Sequence, residues 1–346
     1  MTTLPDLPGV LSADELLQSA HHLEALQTAT GMIPWFPGGH CDPWNHVEAA
    51  MALDVAGLHD AAERAYDWLI DIQRPDGTWH NYYVADGERD DTPSVDKIDT
   101  NVCAYIATGA LHHWRCTADR SFVDNIWPTV ERALDAVVGL RREDGLPLWA
   151  IEADGTRTWE YALLTGTASI QHSLRCGAAL GTATGSPRPD WSEAAELMAA
   201  AINEIPEAFE PKERWAMDWY YPVLSGATAG VAAKARLADG WSTFAMEGLG
   251  IRCVSDEPWI TASETAEAAL AYSAIGDFAT AADLLAWTRS HRLDDGSYLT
   301  GLVYPDRIVF PVAEHTSDTA AAVILAADAI TGASPASDLF VAPEHR

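Results

Sequence analysis

Residues 68–79 read WLIDIQRPDGTW, and their internal offsets organise the rest of the chain. Trp68 and Leu69 close an apolar helical stripe, Gln73 follows, Asp76-Gly77 spells a turn with positive φ, and Trp79 is placed to fold back on the helix end. Residues 287–298, WTRSHRLDDGSY, repeat Trp287, Asp295-Gly296 and Tyr298 at the same offsets. A weaker copy has Asp144-Gly145 after VVGLRRE. Each copy ends an amphipathic segment, so the reading is of outer helices that stop on one recurring turn.

Working outward, SADELLQSAHHLEALQTA, GLHDAAERAYDWLIDIQ, RSFVDNIWPTVERALDAVVGL, DWSEAAELMAAAI and DFATAADLLAWTRSH all carry apolar residues at i, i+3 and i+4 with charge opposite. Ser12 and Glu15 form a capping-box pattern at the first. A second set is small and apolar nearly all round, as buried helices are: HVEAAMALDVA, TNVCAYIATGALHHW, YALLTGTASIQHSL, YYPVLSGATAGVAA, ASETAEAALAYSAI and DTAAAVILAADAI. These begin near Asp42, Asp99, Tyr161, Asp218, Ile260 and His315, at spacings of 57, 62, 57, 42 and 55 residues. One helical hairpin per step predicts an all-α chain built as an (α/α)6 toroid, with a trimmed fourth hairpin. Strand signals are short, as in NYYV and SYLTGLVY. The expectation is one domain over residues 1–346, with a core of about 10–335 and a loose C-terminal tail.

Composition narrows the partners. Lys and Arg number 21 against 51 Asp and Glu, a formal charge of −30 that disfavours nucleic acid and anionic membranes. Five scattered cysteines without a CxxC argue against a disulfide framework or structural zinc. The opening residues show no basic segment followed by an apolar run, and no stretch reaches the length of a membrane span. A cytoplasmic protein is expected. Fourteen Trp beside seven Phe point to a cavity lined with rings.

Each buried helix is preceded by an aromatic and acidic string: DPWNH, DKIDT, TWEY, MDWYY, PWIT and AEHTS. In a toroid these converge on one mouth, where helix N-termini favour anions. The candidate acids are Asp99 first, then Asp90, Asp96, Asp218, Glu264, Glu314 and Glu48. The candidate substrate-binding groups are Trp35, Trp44, His46, His80, Tyr83, Asn101, Trp159, Tyr161, Trp219, Tyr220, Trp259 and His315. Asp99 and Asp218 equally suit helix N-caps, and most of the Trp suit a core.

The string carrying Gln73, Gly77 and Trp79 resembles the QW repeat of squalene cyclases, found in looser form in protein prenyltransferase β subunits. Most of the chain resembles bacterial prenyltransferase-like proteins. The resemblance implies a toroid of the terpenoid cyclase type and general-acid or carbocation chemistry on an isoprenoid, with aromatic faces stabilising the cation. The family's DxDDT signature is matched in part twice. Residues 88–92, ERDDT, keep the middle acid as Asp90, and residues 96–100, DKIDT, replace it with Ile98. His315-Thr316 resembles the prenyltransferase histidine segment without its Asp-x-Cys pair, so no zinc and no cofactor are expected. Two other readings stand beside this one. A carboxylate pair can serve a glycoside hydrolase or lyase with Trp and Tyr stacking on sugar faces, and the toroid can also be a binding module without catalysis.

Overall fold

The computed structural model describes residues 3–86, 89–312, 314–342 and 345. Among them, thirteen α-helices dominate. They are α1 (Ala13–Leu26), α2 (Pro43–Val55), α3 (His59–Ile72), α4 (Thr100–Ala104), α5 (Ile106–Thr117), α6 (Arg120–Gly139), α7 (Leu164–Thr184), α8 (Pro189–Glu204), α9 (Ala216–Leu224), α10 (Gly230–Phe244), α11 (Ala262–Ala274), α12 (Phe278–Trp287) and α13 (Ser317–Thr331). The chain divides into two compact units. The first comprises residues 1–26, 51–58 and 212–346, and the second residues 27–50 and 59–211.

In the second unit, α7 packs against α8 and α5, and α6 packs against α5. In the first, α11 is the hub, packed on α9, α12 and α13. α11 and α13 are buried along nearly their whole lengths, matching their small apolar composition, whereas α3 and α6 bury one stripe. The segment read as one apolar helix over 220–233 is two helices. α9 runs only nine residues and ends at Ser225-Gly226, where Gly226 takes φ +71°, before α10 begins at Gly230. That short helix is the trimmed hairpin behind the 42-residue spacing.

Short antiparallel sheets precede the buried helices. β1 (His40–Cys41), β2 (Tyr82–Val84) and β3 (Thr92–Val95) form one; β4 (Lys97–Asp99), β5 (Ala150–Glu152) and β6 (Thr158–Trp159) form another. The first unit holds a five-stranded sheet of β7 (Ala245–Met246), β8 (Gly250–Arg252), β9 (Trp259–Thr261), β10 (Gly301–Val303) and β11 (Ile308–Val309), in the order β11-β10-β9-β8-β7. Asp99 and Thr261 end strands and begin helices, so sheet and helix together aim what lies at each junction.

The recurring turn is a clasp. After α3, Gln73 Nε2 donates to the carbonyls of Gly77 and Thr129, both at 2.9 Å, and Arg132 of α6 donates to Gln73 Oε1. Asp76 Oδ1 accepts from Thr78 N–H and Oγ1–H, and the buried Trp79 donates to Leu69 O. Asp295 and Asp144 hold their turns in the same way, through Ser297 and Leu146. A fourth clasp escapes the sequence pattern: Gln27 Nε2 donates to Gly31 O and Ala61 O, and Arg64 donates to Gln27 Oε1. Its turn residues, TATG, lack the Asp that marks the others.

Candidate active site

In the second unit the junctions before α2 and α4 bring three carboxyl groups into the interior. Asp42, just before α2, is buried; its Oδ1 accepts from Asn45 N–H at 3.0 Å, and its Oδ2 accepts from Trp35 Nε1–H at 2.6 Å. Burial outweighs those donors, and with the charge of Asp99 added the Asp42 carboxyl is pushed up to about 6. Asp99 caps α4, accepting from Asn101 N–H at 3.0 Å and Val102 N–H at 3.5 Å. Burial raises it as well, opposed by Lys97, by those two amides and by the Trp149 side chain. Glu48, one turn into α2, is buried and accepts from Trp44 Nε1–H at 2.9 Å and Tyr105 O–H at 3.1 Å. Tyr105 sits between α4 and α5, which the sequence reading merges into one helix.

Half-buried rings surround these acids. Trp35 meets His40 and Tyr82, with centroids 4.3 and 6.1 Å away, and Trp44 tilts on Tyr105 at 5.3 Å. Burial and the charges of Asp42 and Asp99 raise the Tyr82 hydroxyl, which places it in their field. On the β5–β6 side Trp149 stacks on Tyr161 at 5.4 Å and meets Trp159 edge-on, while Lys97 and Arg157 lie over the Trp149 and Trp159 rings. Asn101 is buried at the start of α4.

Other expected residues of this unit take different places. His46 lies in the core: its Nε2–H donates to Ala65 O, its Nδ1 accepts from Ile33 N–H, and burial takes it down to about 4. It is a neutral packing group against Trp68. Tyr83 is also buried, its hydroxyl accepting from His80 N–H and itself raised by burial. His80 contacts Arg74 and lies 3.4 Å from Asp96, whose carboxylate is exposed. Asp90 is in the loop before β3, accepting from Thr30 O–H at 2.7 Å, and Glu88 lies outside the described residues.

The first unit holds its own acidic centre. Tyr220 donates its hydroxyl to buried Glu267, a residue the sequence reading passes over although it lies three positions beyond Glu264 on α11. Glu264 accepts from Ser263 O–H at 2.8 Å and, with burial, raises the Cys253 thiol. Asp218 lies within the first turn of α9 rather than before it, and its carbonyl accepts from Arg236. Trp219 is a core residue, stacked on Phe244 and donating to Arg236 O. Trp259 donates its indole N–H to Phe310 O at 3.0 Å. His315 pairs with Ser297, and Glu314 receives Thr300 N–H at its carbonyl. Among the described residues no trio of His, Cys, Asp or Glu is gathered to hold a metal ion, and no helix is long and apolar enough to cross a membrane.

No family model matches this sequence. The chain is 47% identical over 340 residues to the MMP endo-(1,4)-3-O-methyl-alpha-D-mannosidase of Mycolicibacterium hassiacum, covering 98% of this chain and 92% of that protein. It is 27% identical over 173 residues to an uncharacterized glycosyl hydrolase of Methanocaldococcus jannaschii, over 48% of this chain and 26% of that one. Its fold is similar to a solved wild-type glycosidase (14% identity, 93% of this chain and 98% of that one, TM-score 0.68) and to D-mannose isomerase (12%, 92% and 97%, 0.71). The full-length mannosidase relative overturns the resemblance to squalene cyclases and prenyltransferases and the isoprenoid chemistry it implies. The physical reason lies in the QW-type strings: Gln73 and Trp79 spend their N–H groups on carbonyls of the turn (Gly77), of α6 (Thr129) and of α3 (Leu69), so the motif records how helices are clasped and carries no chemistry.

Proposed function

The chain belongs to the family of the MMP endo-(1,4)-3-O-methyl-alpha-D-mannosidase, and from that premise we propose that it is an endo-acting glycoside hydrolase of (1→4)-linked 3-O-methyl-α-D-mannosides. The observation that carries the reading is identity of 47% across nearly the whole of both chains. The local chemistry supports it. Glycoside hydrolysis needs one carboxyl that holds a proton and one that is ionised. Asp42, raised to about 6, is the proton donor to the departing glycosidic oxygen. Asp99 is also raised by burial, but Lys97, two helix amides and Trp149 stand against that rise, and it is assigned the role of the ionised partner. Glu48, fixed by Trp44 and Tyr105, offers a held acceptor to a sugar hydroxyl. The half-buried rings of Trp35, Trp44 and Tyr82 suit a sugar whose 3-O-methyl group enlarges its apolar face. Closure of the helical pairs into an (α/α)6 toroid belongs to the same proposal, supported by the likeness to a glycosidase fold over 93% of the chain.

The test is incubation with (1→4)-linked 3-O-methyl-α-D-mannose oligomers, following products by mass spectrometry. Wild type is expected to release mid-length fragments. Asp42→Asn and Asp99→Asn should each lose about 10²–10⁴-fold in kcat, and Glu264→Gln measures whether the first unit's acid shares in the reaction. Absence of any mannoside hydrolysis would overturn the reading; full activity in Asp42→Asn would remove that residue from the acid role.

A further inference from the structure

Two residues beyond Asp99, Asn101 is 5% exposed, and its side-chain oxygen meets no hydrogen-bond partner among the described residues. A buried amide oxygen without a donor is destabilising, so a folded chain keeps one where something else supplies the donor. Asn101 donates its backbone N–H to Asp99 Oδ1, which ties it to the acid cluster. On the facing helix, α7, residue 166 is glycine; a Cβ there would lie 3.7 Å from Asn101 Cβ, in ordinary contact, so the glycine keeps the base of the Asn101 side chain uncrowded. The nearest charged neighbour in sequence, Asp99, accepts hydrogen bonds and cannot satisfy an acceptor while ionised. The ligand must therefore bring a proton.

The next step rests on the mannosidase reading. In an internal (1→4)-linked 3-O-methyl-mannosyl residue, O3 carries a methyl and O4 a glycosidic bond, so only the 2- and 6-hydroxyls can donate. The 2-hydroxyl adjoins the anomeric carbon, where hydrogen bonds strengthen as the oxocarbenium-like transition state forms. We propose that Asn101 Oδ1 accepts the 2-hydroxyl proton of the sugar whose glycosidic bond is cleaved. Asn101 is then a substrate-binding residue that reads hydroxylation at C2 and acts more on kcat than on KM.

The experiment compares the methylated oligomannoside with its 2-deoxy and 6-deoxy analogues at the cleaved residue, for wild type and Asn101→Ala. Wild type is expected to lose about 100-fold in kcat/KM on the 2-deoxy substrate and little on the 6-deoxy one. Asn101→Ala should lose a similar factor on the parent substrate, mostly in kcat, and treat the 2-deoxy analogue nearly as it treats the parent. Wild type indifferent to 2-deoxygenation, or Asn101→Ala discriminating as sharply as wild type, overturns the proposal while the glycosidase reading stands. Sensitivity to 6-deoxygenation instead also overturns it. Failure of wild type to cleave any mannoside brings down the underlying reading and this one with it. Wild type indifferent to 2-deoxygenation overturns the proposal even if Asn101→Ala melts too low to assay, and Asn101→Ser, a smaller polar change, then carries the variant arm.

Discussion

Asp42, proposed above as the acid, also carries a stability cost. Its folded pKa of about 6 lies above the 3.8 of a free aspartate, so between those values the native state holds the extra proton. Stability from this residue is therefore greatest below pH 4, falls as pH rises to 6, and is constant above, the cost reaching about 3 kcal/mol. Asn resembles the protonated form in carrying no charge, but its one oxygen can accept from only one of the two donors, Asn45 N–H or Trp35 Nε1–H, a loss of about 1 kcal/mol. Asp42→Asn is thus expected to raise the melting temperature at pH 8, where relief of the buried charge exceeds that loss, to lower it slightly at pH 4, and to abolish the activity limb that falls as pH rises through about 6. Melting curves at the two pH values, beside a pH–rate profile, check this. An unchanged or lower melting point at pH 8 would mean the buried carboxylate is better solvated than its position implies. His46 shows the converse: as a residue type it reads as a ligand, but two backbone partners consume both ring nitrogens.

At the scale of elements, the clasp explains why one string recurs. Gly77 has φ +88°, and a Cβ there would stand 2.4 Å from Arg132 O, so the turn and the next outer helix meet at backbone distance. Gly38 has φ +73° with nothing near its Cβ position. Gly38→Ala should cost about 1–2 kcal/mol, the left-handed backbone penalty alone, and Gly77→Ala clearly more, since α6 must also move. Gln73→Ala removes two donated hydrogen bonds and should cost about 1 kcal/mol for each. Urea denaturation of the three variants ranks them; a Gly77→Ala no worse than Gly38→Ala would refute the clasp. The same close packing recurs at Gly31 against Arg64 O, where the sequence lacks Asp and the repeat goes unseen. What the two clasps share is the Gln, the Arg that holds it and the backbone approach at the Gly; the Asp is dispensable.

Over the whole molecule, a formal charge of −30 means self-repulsion that salt can screen. Raising NaCl from about 0.05 to 0.5 M at pH 8 should raise the melting temperature by a few degrees. The gain should shrink near pH 5, close to the sequence pI of about 4.5. A melting point indifferent to salt at pH 8 would show that the carboxylates are spread too widely to repel. What the sequence determined by itself was periodic: the 3.6-residue stripes set α3, α6 and α8, the all-apolar runs set α11 and α13, and aromatic-acidic strings marked the helix starts. These are local, because burial pattern and turn chemistry are written within a dozen residues. Tertiary structure alone decided which acids are buried. Asp42 and Asp90 are the same residue type in similar acidic strings, yet one is buried beneath Trp35 and carries a raised pKa, and the other sits in a loop bonded to Thr30. Desolvation and the field of a second carboxylate depend on neighbours distant along the chain, and no local pattern encodes them.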